Sequence, residues 1–538
     1  MNGADAIIKC LELEGVTEVF GYPGVAICPF YDSILNSDIR TILIRTEQNA
    51  AHAASGMARV TGKVGVCAVT SGPGATNLLT GIATAFADSI PLVCITGQVN
   101  SELLGSDVFQ EADITGAAES FVKYSYLVRD LNDIPRIFKE AFYVASTGRK
   151  GPVLIDIPVD IQNAQITRFR YPEEVNMRTY KPTVKGHAVQ IRKVIHELEK
   201  AKRPLIYAGG GVTLSGACEE LRTFSEKFRI PVVSTMMGIG VMPTEHPMYF
   251  GMVGNNGKPY ANRAMNESDL LIMVGARVAD RSVNQPDIIT HDKVLVHIDV
   301  DPAEIGKNAG PTIPLVGDAR HIFADFEKQE FTCEHEEWIE RLNEYRSTMK
   351  QIRHPNPDYV DPEAFIRRLS ERMKPDGVYV ADVGQNQIWS CSYHIVREGR
   401  FLTSGGMGTM GYSIPAAMGA KLGDMSKQVI AVCGDGSFQM SMMELATIQQ
   451  HHIPVKIVVF RNNYLGMVRE FQHFNYKDRY SVVDISGMPK LEKIAEAYEI
   501  PYLKLSRNED IDSALDEFLK EDSSYLMECM IDPMDLVK

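Results

Sequence analysis

Several things this 538-residue sequence lacks narrow its function before any motif is read. It has no long lysine or arginine run to offset 55 basic against 69 acidic residues, a balance of −14, so nucleic-acid phosphates and anionic membrane surfaces are not expected partners. No apolar stretch approaches the roughly 18 residues that cross a bilayer. Met1 leads straight into an amphipathic segment without a basic or Arg/Ser-rich leader, so the chain as written is expected to be cytoplasmic. Nine cysteines are scattered, never in a CxxC pair, and most sit in apolar runs such as VGVCAV and VIAVCG, as small buried hydrophobes of a reducing compartment do. With no GxxxxGK[ST] and no HExxH either, three large enzyme classes are removed.

What is present reads as an ordinary globular protein, with 45% hydrophobic and 23% charged residues. At roughly 150 residues per domain, the length allows three or four domains. Apolar runs at Thr41–Ile44, Val64–Ala68, Pro91–Ile95 and Val153–Ile157 alternate with Ala-rich helical patterns and Gly/Ser/Asn/Pro junctions. That alternation predicts βαβ units around a buried parallel sheet. The rhythm breaks at 167–185, resumes through Leu205–Ala208, Val232–Ser234, Leu270–Val274 and Val294–Ile298, and breaks again around HPNPDYVDP at 354–362. A third run follows in Val378–Asp382, Val429–Cys433, Val455–Phe460 and Tyr525–Ile531. The expectation is an α/β chain of three sequential domains, 1–165, 188–342 and 363–538, each a parallel sheet flanked by helices.

In such sheets ligands bind beyond the carboxyl ends of strands, so the residues just after the apolar runs are the informative ones. Gly434-Asp435-Gly436-Ser437 follows one strand and Arg461-Asn462-Asn463-Tyr464 the next. Two glycines allow close approach to a phosphate, while Asp435 and Asn462 offer hard oxygen ligands for a magnesium diphosphate. Each element alone is an ordinary turn; the pair, each directly after a strand, is far more specific. In the first domain, Glu47 lies between a strand and an alanine-rich helix, where partial desolvation suits proton transfer. Taken by itself it reads better as a first-turn glutamate favoured by the helix dipole. His52, among alanines, reads as structural, and Ser71-Gly72-Pro73-Gly74 opens a helix in a form fit for close ligand approach. Gly406–Gly411 matches GxGxxG but lacks the strand, helix and acidic residue of a nicotinamide site.

These residues carry a dense resemblance. With GYPG at 21–24, EQNAAHAA at 47–54, TSGPGATNL at 70–78, GSDVFQEAD at 105–113, TGRKGPVLIDIP at 147–158, ADR at 279–281, HIDVDPAEIGKN at 297–308, SGGMGTMGYSIPAA at 404–417 and GDGSFQM at 434–440, the chain resembles the large, catalytic subunits of the acetohydroxyacid (acetolactate) synthase family of thiamine diphosphate enzymes. The resemblance implies that Glu47 hydrogen-bonds the aminopyrimidine of the cofactor and starts its activation. Asp435, Asn462 and the carbonyl of Tyr464 are implied as Mg2+ ligands, and Met410 as the apolar support of the bent cofactor. Gly384, Gln385, Gly436, Ser437 and Met467 are implied as further cofactor contacts. Phe109 and Gln110 would line the active site, and Arg281 would meet the 2-oxo acid, as a bidentate cation can. FAD would be held by Arg149, Gly209, Gly210, Gly211, Thr235, Met236, Arg277, Asp299 and Asp318, without net redox; the triple glycine alone is as plausibly a tight turn.

The activity implied is decarboxylation of pyruvate on thiamine diphosphate and transfer of the two-carbon unit to pyruvate or 2-oxobutyrate, in branched-chain amino acid biosynthesis. The resemblance further implies a homodimer at least, with each site shared between subunits, and a possible small regulatory subunit. An alternative is another thiamine diphosphate carboligase, either FAD-free and catabolic or using an unusual acceptor. The chain departs from the family pattern at Thr46 (usually His), Asn49 and Val25 (Gly), Asn100 (often Pro), Val159 (Lys) and Asn386 (His), and it stops at Lys538, short of the usual tail. Phe471 replaces the Trp associated with choosing 2-oxobutyrate, which implies a weaker preference for that acceptor.

Overall fold

The computed structural model describes residues 1–283, 285–333, 335–349, 353–487 and 489–537. Residues 350–352, in the second expected linker, and Lys538 therefore lie outside the described residues. Three six-stranded sheets follow one another along the chain, all with parallel pairing.

The first contains β1 (Glu18–Tyr22), β2 (Arg40–Leu43), β3 (Gly65–Val69), β4 (Leu92–Gln98), β5 (Tyr124–Leu127) and β6 (Pro152–Pro158) in the order β2-β1-β3-β4-β6-β5. The second contains β7 (Pro204–Ala208), β8 (Val232–Ser234), β9 (Tyr249–Met252), β10 (Leu270–Val274), β11 (Val294–Asp299) and β12 (Ile313–Val316) in the order β12-β11-β10-β7-β8-β9. The third contains β13 (Val378–Ala381), β14 (Arg400–Thr403), β15 (Val429–Gly434), β16 (Lys456–Arg461), β17 (Tyr502–Leu505) and β18 (Tyr525–Met530) in the order β14-β13-β15-β16-β18-β17.

Counted within each sheet, the first and third share one strand order, whereas the middle sheet runs 3-2-1-4-5-6, the doubly wound order of dinucleotide-binding sheets. Its switch point falls between β7 and β10, where the Gly209–Gly211 and Gly275 turns meet. The central strands are buried on both faces, which is why they read as unbroken apolar runs.

The first and third domains share one apolar core. Helix Glu47–Thr61 packs on helix Ser413–Gly423 so closely that a Cβ on Gly56 would stand 1.9 Å from the Ala416 carbonyl oxygen, and one on Gly419 1.7 Å from that of Ala53. Only glycine permits this approach at both crossings. His52 is structural, as expected: it is buried on this helix, edge-on to Tyr412 at 5.2 Å, and burial lowers its pKa to about 3.

Two smaller expectations, on the cysteines and on the Gly406–Gly411 run, are adjusted by the structure. All nine cysteines are free; six are buried, as expected of most, while Cys218 and Cys333 are half-buried and Cys28 is exposed. The Gly406–Gly411 glycines do lie between a strand, β14, and a helix, Ser413–Gly423. β14 is an edge strand, yet the run reaches back to the third sheet's switch point, where Gly411 N donates to Asp382 at the end of β13. Among the described residues, no helix is long and apolar enough to cross a membrane.

Candidate active site

The third sheet brings its three chemically loaded strand ends side by side, because β13, β15 and β16 are neighbours. β15 ends at Gly434 and Asp435 opens the next helix, with a carboxylate only 1% exposed. Its Oδ1 accepts from Gly436 N at 3.0 Å and its Oδ2 from Asn463 N at 2.7 Å, while burial, the largest influence, raises its pKa to about 6. Each carboxylate oxygen keeps a lone pair for a cation. Asn462 is buried beside it; its Oδ1 accepts from Tyr464 N at 3.0 Å and its Nδ2 donates to Gln385 Oε1 at 3.2 Å. Among the described residues, no group of three His, Cys, Asp or Glu side chains could hold a metal, so a cation here would take one carboxylate, one amide oxygen and a backbone oxygen. That hard-oxygen set, leaving positions for water and phosphate, fits Mg2+.

Gly384, at φ 145°, caps helix Gln385–Tyr393 after β13, a backbone angle that favours glycine. Gln385 Nε2 donates to Glu470 Oε2 and to the Asp535 carbonyl, both at 3.0 Å, so its whole amide is engaged by protein. Ser437 is likewise occupied: its Oγ donates to the Gly434 carbonyl and accepts from Gly434 N, both at 3.1 Å. Its hydroxyl closes the turn. Met410 and Gly436 meet, since a Cβ on Gly436 would lie 3.6 Å from Met410 Cε. The Met410 turn is fixed by Asp382, a buried carboxylate absent from the sequence reading as a site residue, which accepts from Gly411 N at 2.9 Å and Ser413 N at 2.8 Å. Its place at the end of an apolar run was the available signal.

In the first domain, Glu47 is the first residue of its helix, half-buried, with Oε2 accepting from Asn77 Nδ2 at 3.1 Å. A Cβ on Gly74 would lie 3.5 Å from Glu47 Oε1, so the SGPG turn borders this carboxylate. Gln110, at φ 60°, packs on that turn, where a Cβ on Gly72 would stand 2.9 Å from Gln110 Cα. Phe109 beside it is 86% exposed. Among the described residues, no hydrogen bond or ion pair joins Glu47 to Asp435, Asn462 or Met410.

The loop of Phe109 and Gln110 is tied to the sheet from beneath. Gln98 Nε2 donates to the Ala112 carbonyl at 2.8 Å and to Asp156 Oδ2 at 2.9 Å, and Thr96 Oγ1 donates to Asp156 Oδ1 at 2.7 Å. Burial raises the Asp156 pKa to about 7. The folded chain therefore holds a proton that the unfolded chain releases, and this stabilisation, full below the unfolded pKa of 3.8, is lost as pH rises to 7. Urea midpoints at pH 5 and pH 8 should show a wild-type decrease that Asp156→Asn diminishes.

The middle domain has a cavity of about 860 Å³ at the β7/β10 switch point. Arg149, Gly210, Gly211, Thr235, Met236, Arg277, Arg281, Asp299, Asp318 and Met467 line it, together with Ser404–Gly408 of the third domain. Gly209 does not line it. That glycine opens a short helix rather than a tight turn, and a Cβ there would stand 2.2 Å from the Gly275 carbonyl oxygen, so close packing explains it. Arg149 donates to Glu304 Oε1 at 2.9 Å, Arg277 to the Ala87 carbonyl at 2.8 Å, and Asp318 accepts from Arg320 N at 2.9 Å as a helix cap. Asp299, at the end of β11, accepts from Asp301 N at 2.9 Å, and burial raises its pKa to about 6. Arg281 is exposed at the cavity mouth, 3.9 Å from Asp280. Phe471 lies on the exposed face of helix Gly466–Tyr476.

Family models match all three parts of the chain: the thiamine pyrophosphate enzyme N-terminal TPP-binding domain at residues 1–117, the central domain at 191–326 and the C-terminal TPP-binding domain at 382–529. The chain therefore belongs to the thiamine pyrophosphate enzymes. A probable acetolactate synthase large subunit of Methanocaldococcus jannaschii is 43% identical over 99% of this chain and 93% of its own. The acetolactate synthase of Arthrospira platensis is 42% identical over 99% and 94%, and the large subunit of Corynebacterium glutamicum 43% identical over 95% and 83%. Within that class, the chain is a member of the acetolactate synthase large subunits, thiamine-dependent carboligases.

Proposed function

We propose that the chain makes acetohydroxy acids from pyruvate, releasing CO2 and joining the remaining two-carbon unit to pyruvate or 2-oxobutyrate, with thiamine diphosphate, Mg2+ and FAD bound. The observation that carries this reading is the convergence of Gly384, Asp435 and Asn462 at three adjacent strand ends. When bound, thiamine diphosphate supplies the nucleophilic carbon that stands in for an acyl anion. Asp435, Asn462 and the Tyr464 carbonyl hold the metal; Met410, backed by Asp382, presents an apolar wall. Glu47 Oε2 or Oε1 holds and moves the proton at the pyrimidine. Arg281, free of any close carboxylate but Asp280, pairs with the 2-oxo acid carboxylate. Phe109 and Gln110, on a loop at the rim, exclude water, which would otherwise divert the two-carbon unit to an aldehyde.

FAD fits the middle cavity in three respects: a doubly wound sheet at its switch point, a volume within the roughly 300–1,000 Å³ usual for such sites, and a buried carboxylate at a strand end for ribose hydroxyls. The two glycines separate packing from binding. Gly209→Ala should destabilise the whole middle domain, since its Cβ meets backbone at 2.2 Å. Gly210→Ala, whose Cβ meets Met237 Cβ at 3.1 Å inside the cavity, should fold and lose its visible flavin absorbance upon purification. Retention of flavin by Gly210→Ala would contradict the placement.

A second copy of the chain completes the site in this account. Support comes from exposed apolar residues on both site-bearing domains, Val25 and Phe109 on the first, Met440, Phe471, Phe474 and Val482 on the third. The relatives' designation as large subunits supports a smaller regulatory partner, and the cytoplasm is the proposed location. Phe471 in place of a larger aromatic weakens discrimination between acceptors that differ by one methylene, a difference worth about 1–3 kcal/mol in a fitted pocket. Competition between pyruvate and 2-oxobutyrate should give mixed products; a strong bias to 2-aceto-2-hydroxybutyrate would contradict this.

A further inference from the structure

Helix Glu47–Thr61 begins without a cap of its own. Four N–H groups at any helix start lack intrahelical partners, and here the N-cap residue Thr46 is extended, at φ −142° and ψ 145°, and makes no side-chain cap bond. The chain entering the helix is held instead from the third domain. Glu444, the first residue of helix Glu444–Gln450, is fully buried, and its Oε1 accepts from Arg45 N at 3.0 Å and from Asn49 Nδ2 at 2.9 Å. Its Oε2 accepts from Thr447 Oγ1 at 2.7 Å.

The rest of that short helix grips the same junction. Thr447 Oγ1 lies 3.1 Å from the Leu43 carbonyl, His451 Nε2 accepts from Leu43 N at 3.2 Å, and Gln450 Oε1 accepts from Arg45 at 2.6 Å. Among the described residues Glu444 has no salt-bridge partner, so hydrogen bonds and the positive end of the helix it faces are what stabilise a buried carboxylate. A buried, multiply bonded acid without a cation is costly unless its acceptors are needed where they are.

We propose that Glu444 is a positioning residue for the reaction: from the diphosphate-binding domain it ties down Arg45, just ahead of the N-cap, and the Asn49 side chain in the first turn of the helix that begins at Glu47, and so fixes where the Glu47 carboxylate points. The inference rests on the reading of Glu47 as the group that hydrogen-bonds the cofactor pyrimidine. Among the described residues, the Glu47 carboxylate is bonded by Asn77 alone, so a slack first turn displaces it directly.

The test uses the full-length holoenzyme carrying Glu444→Ala, Glu444→Gln and Glu47→Gln, and reads hydrogen–deuterium exchange at C2 of bound thiamine diphosphate by acid quench and NMR. Amide exchange of the cofactor-free chain over residues 43–49 is read alongside. Displacement of a catalytic group by 1 Å costs on the order of 100-fold, so Glu444→Ala should slow C2 exchange by roughly 10- to 100-fold and lower kcat with KM for pyruvate unchanged. It should also lose amide protection at Arg45. Glu444→Gln, which keeps the accepting oxygen, should restore both. Wild-type C2 exchange in Glu444→Ala, whatever happens to its melting temperature, overturns the proposal. Should Glu444→Ala not fold, Glu444→Asp withdraws the acceptor by one methylene and carries the same test. Wild-type exchange in Glu47→Gln overturns the reading of Glu47 beneath it, whereas slow exchange in Glu47→Gln with wild-type exchange in the Glu444 variants overturns the positioning role alone.

Discussion

Glu47→Gln is expected to lower kcat for pyruvate consumption by about 10²–10⁴-fold, the usual contribution of a positioned acid–base group, while thiamine diphosphate still binds. Glutamine fills the same space and can still accept from Asn77, so the first turn of the helix and the SGPG border remain intact. What is lost is the ability to hold and release a proton. Cofactor affinity, set by Asp435, Asn462 and the strand-end glycines of the other domain, should stay close to wild type. Steady-state kinetics together with titration of thiamine diphosphate into the cofactor-free protein would separate the two quantities. A variant with wild-type kcat would remove Glu47 from the mechanism.

Asp435→Ala is expected to weaken Mg2+-dependent thiamine diphosphate binding by more than the roughly 10–100-fold typical of losing an outer-shell partner, because the carboxylate is itself the metal ligand in this account. Two further effects act in the same direction. Gly436 N and Asn463 N lose their acceptor, and Asn463 at φ 61° depends on that bond to hold the turn that presents Asn462. Asp435→Asn keeps an accepting oxygen for one of the two backbone N–H groups and removes the charge, so its difference from Asp435→Ala measures the part of the loss that comes from the turn. Calorimetric titration with and without Mg2+ is the measurement. Equal binding by Asp435→Asn and wild type in the presence of Mg2+ would place the metal elsewhere.

Much of this was legible in the residues. Twelve of the 18 strands lie on apolar runs, since strands buried on both faces must be apolar throughout. Five of the other six, β5, β9, β12, β14 and β17, are sheet edges of four residues each, some half exposed, as in the burial of Tyr124–Leu127 and Tyr502–Leu505. Their apolar content is too short and interrupted to register. The sixth, β1, is central, but Glu18 and Gly21 break its run. Candidate ligands at strand ends were legible for the same topological reason. The groups that hold them were less so: Asp382 and Glu444 act through bonds to residues 29 or more positions away, and spacing along a chain carries no trace of such pairing. At Gly209 nothing in the sequence signals the close backbone approach to Gly275 that requires a glycine there.

The account's central claim is that this chain is a carboligase, joining two 2-oxo acids rather than merely decarboxylating one. The most direct measurement is product analysis after the pure full-length protein is incubated with pyruvate, Mg2+, thiamine diphosphate and FAD, with and without 2-oxobutyrate. The account expects CO2 with 2-acetolactate, and 2-aceto-2-hydroxybutyrate in addition when 2-oxobutyrate is present. Acetaldehyde as the sole organic product, or no consumption of pyruvate, would contradict it.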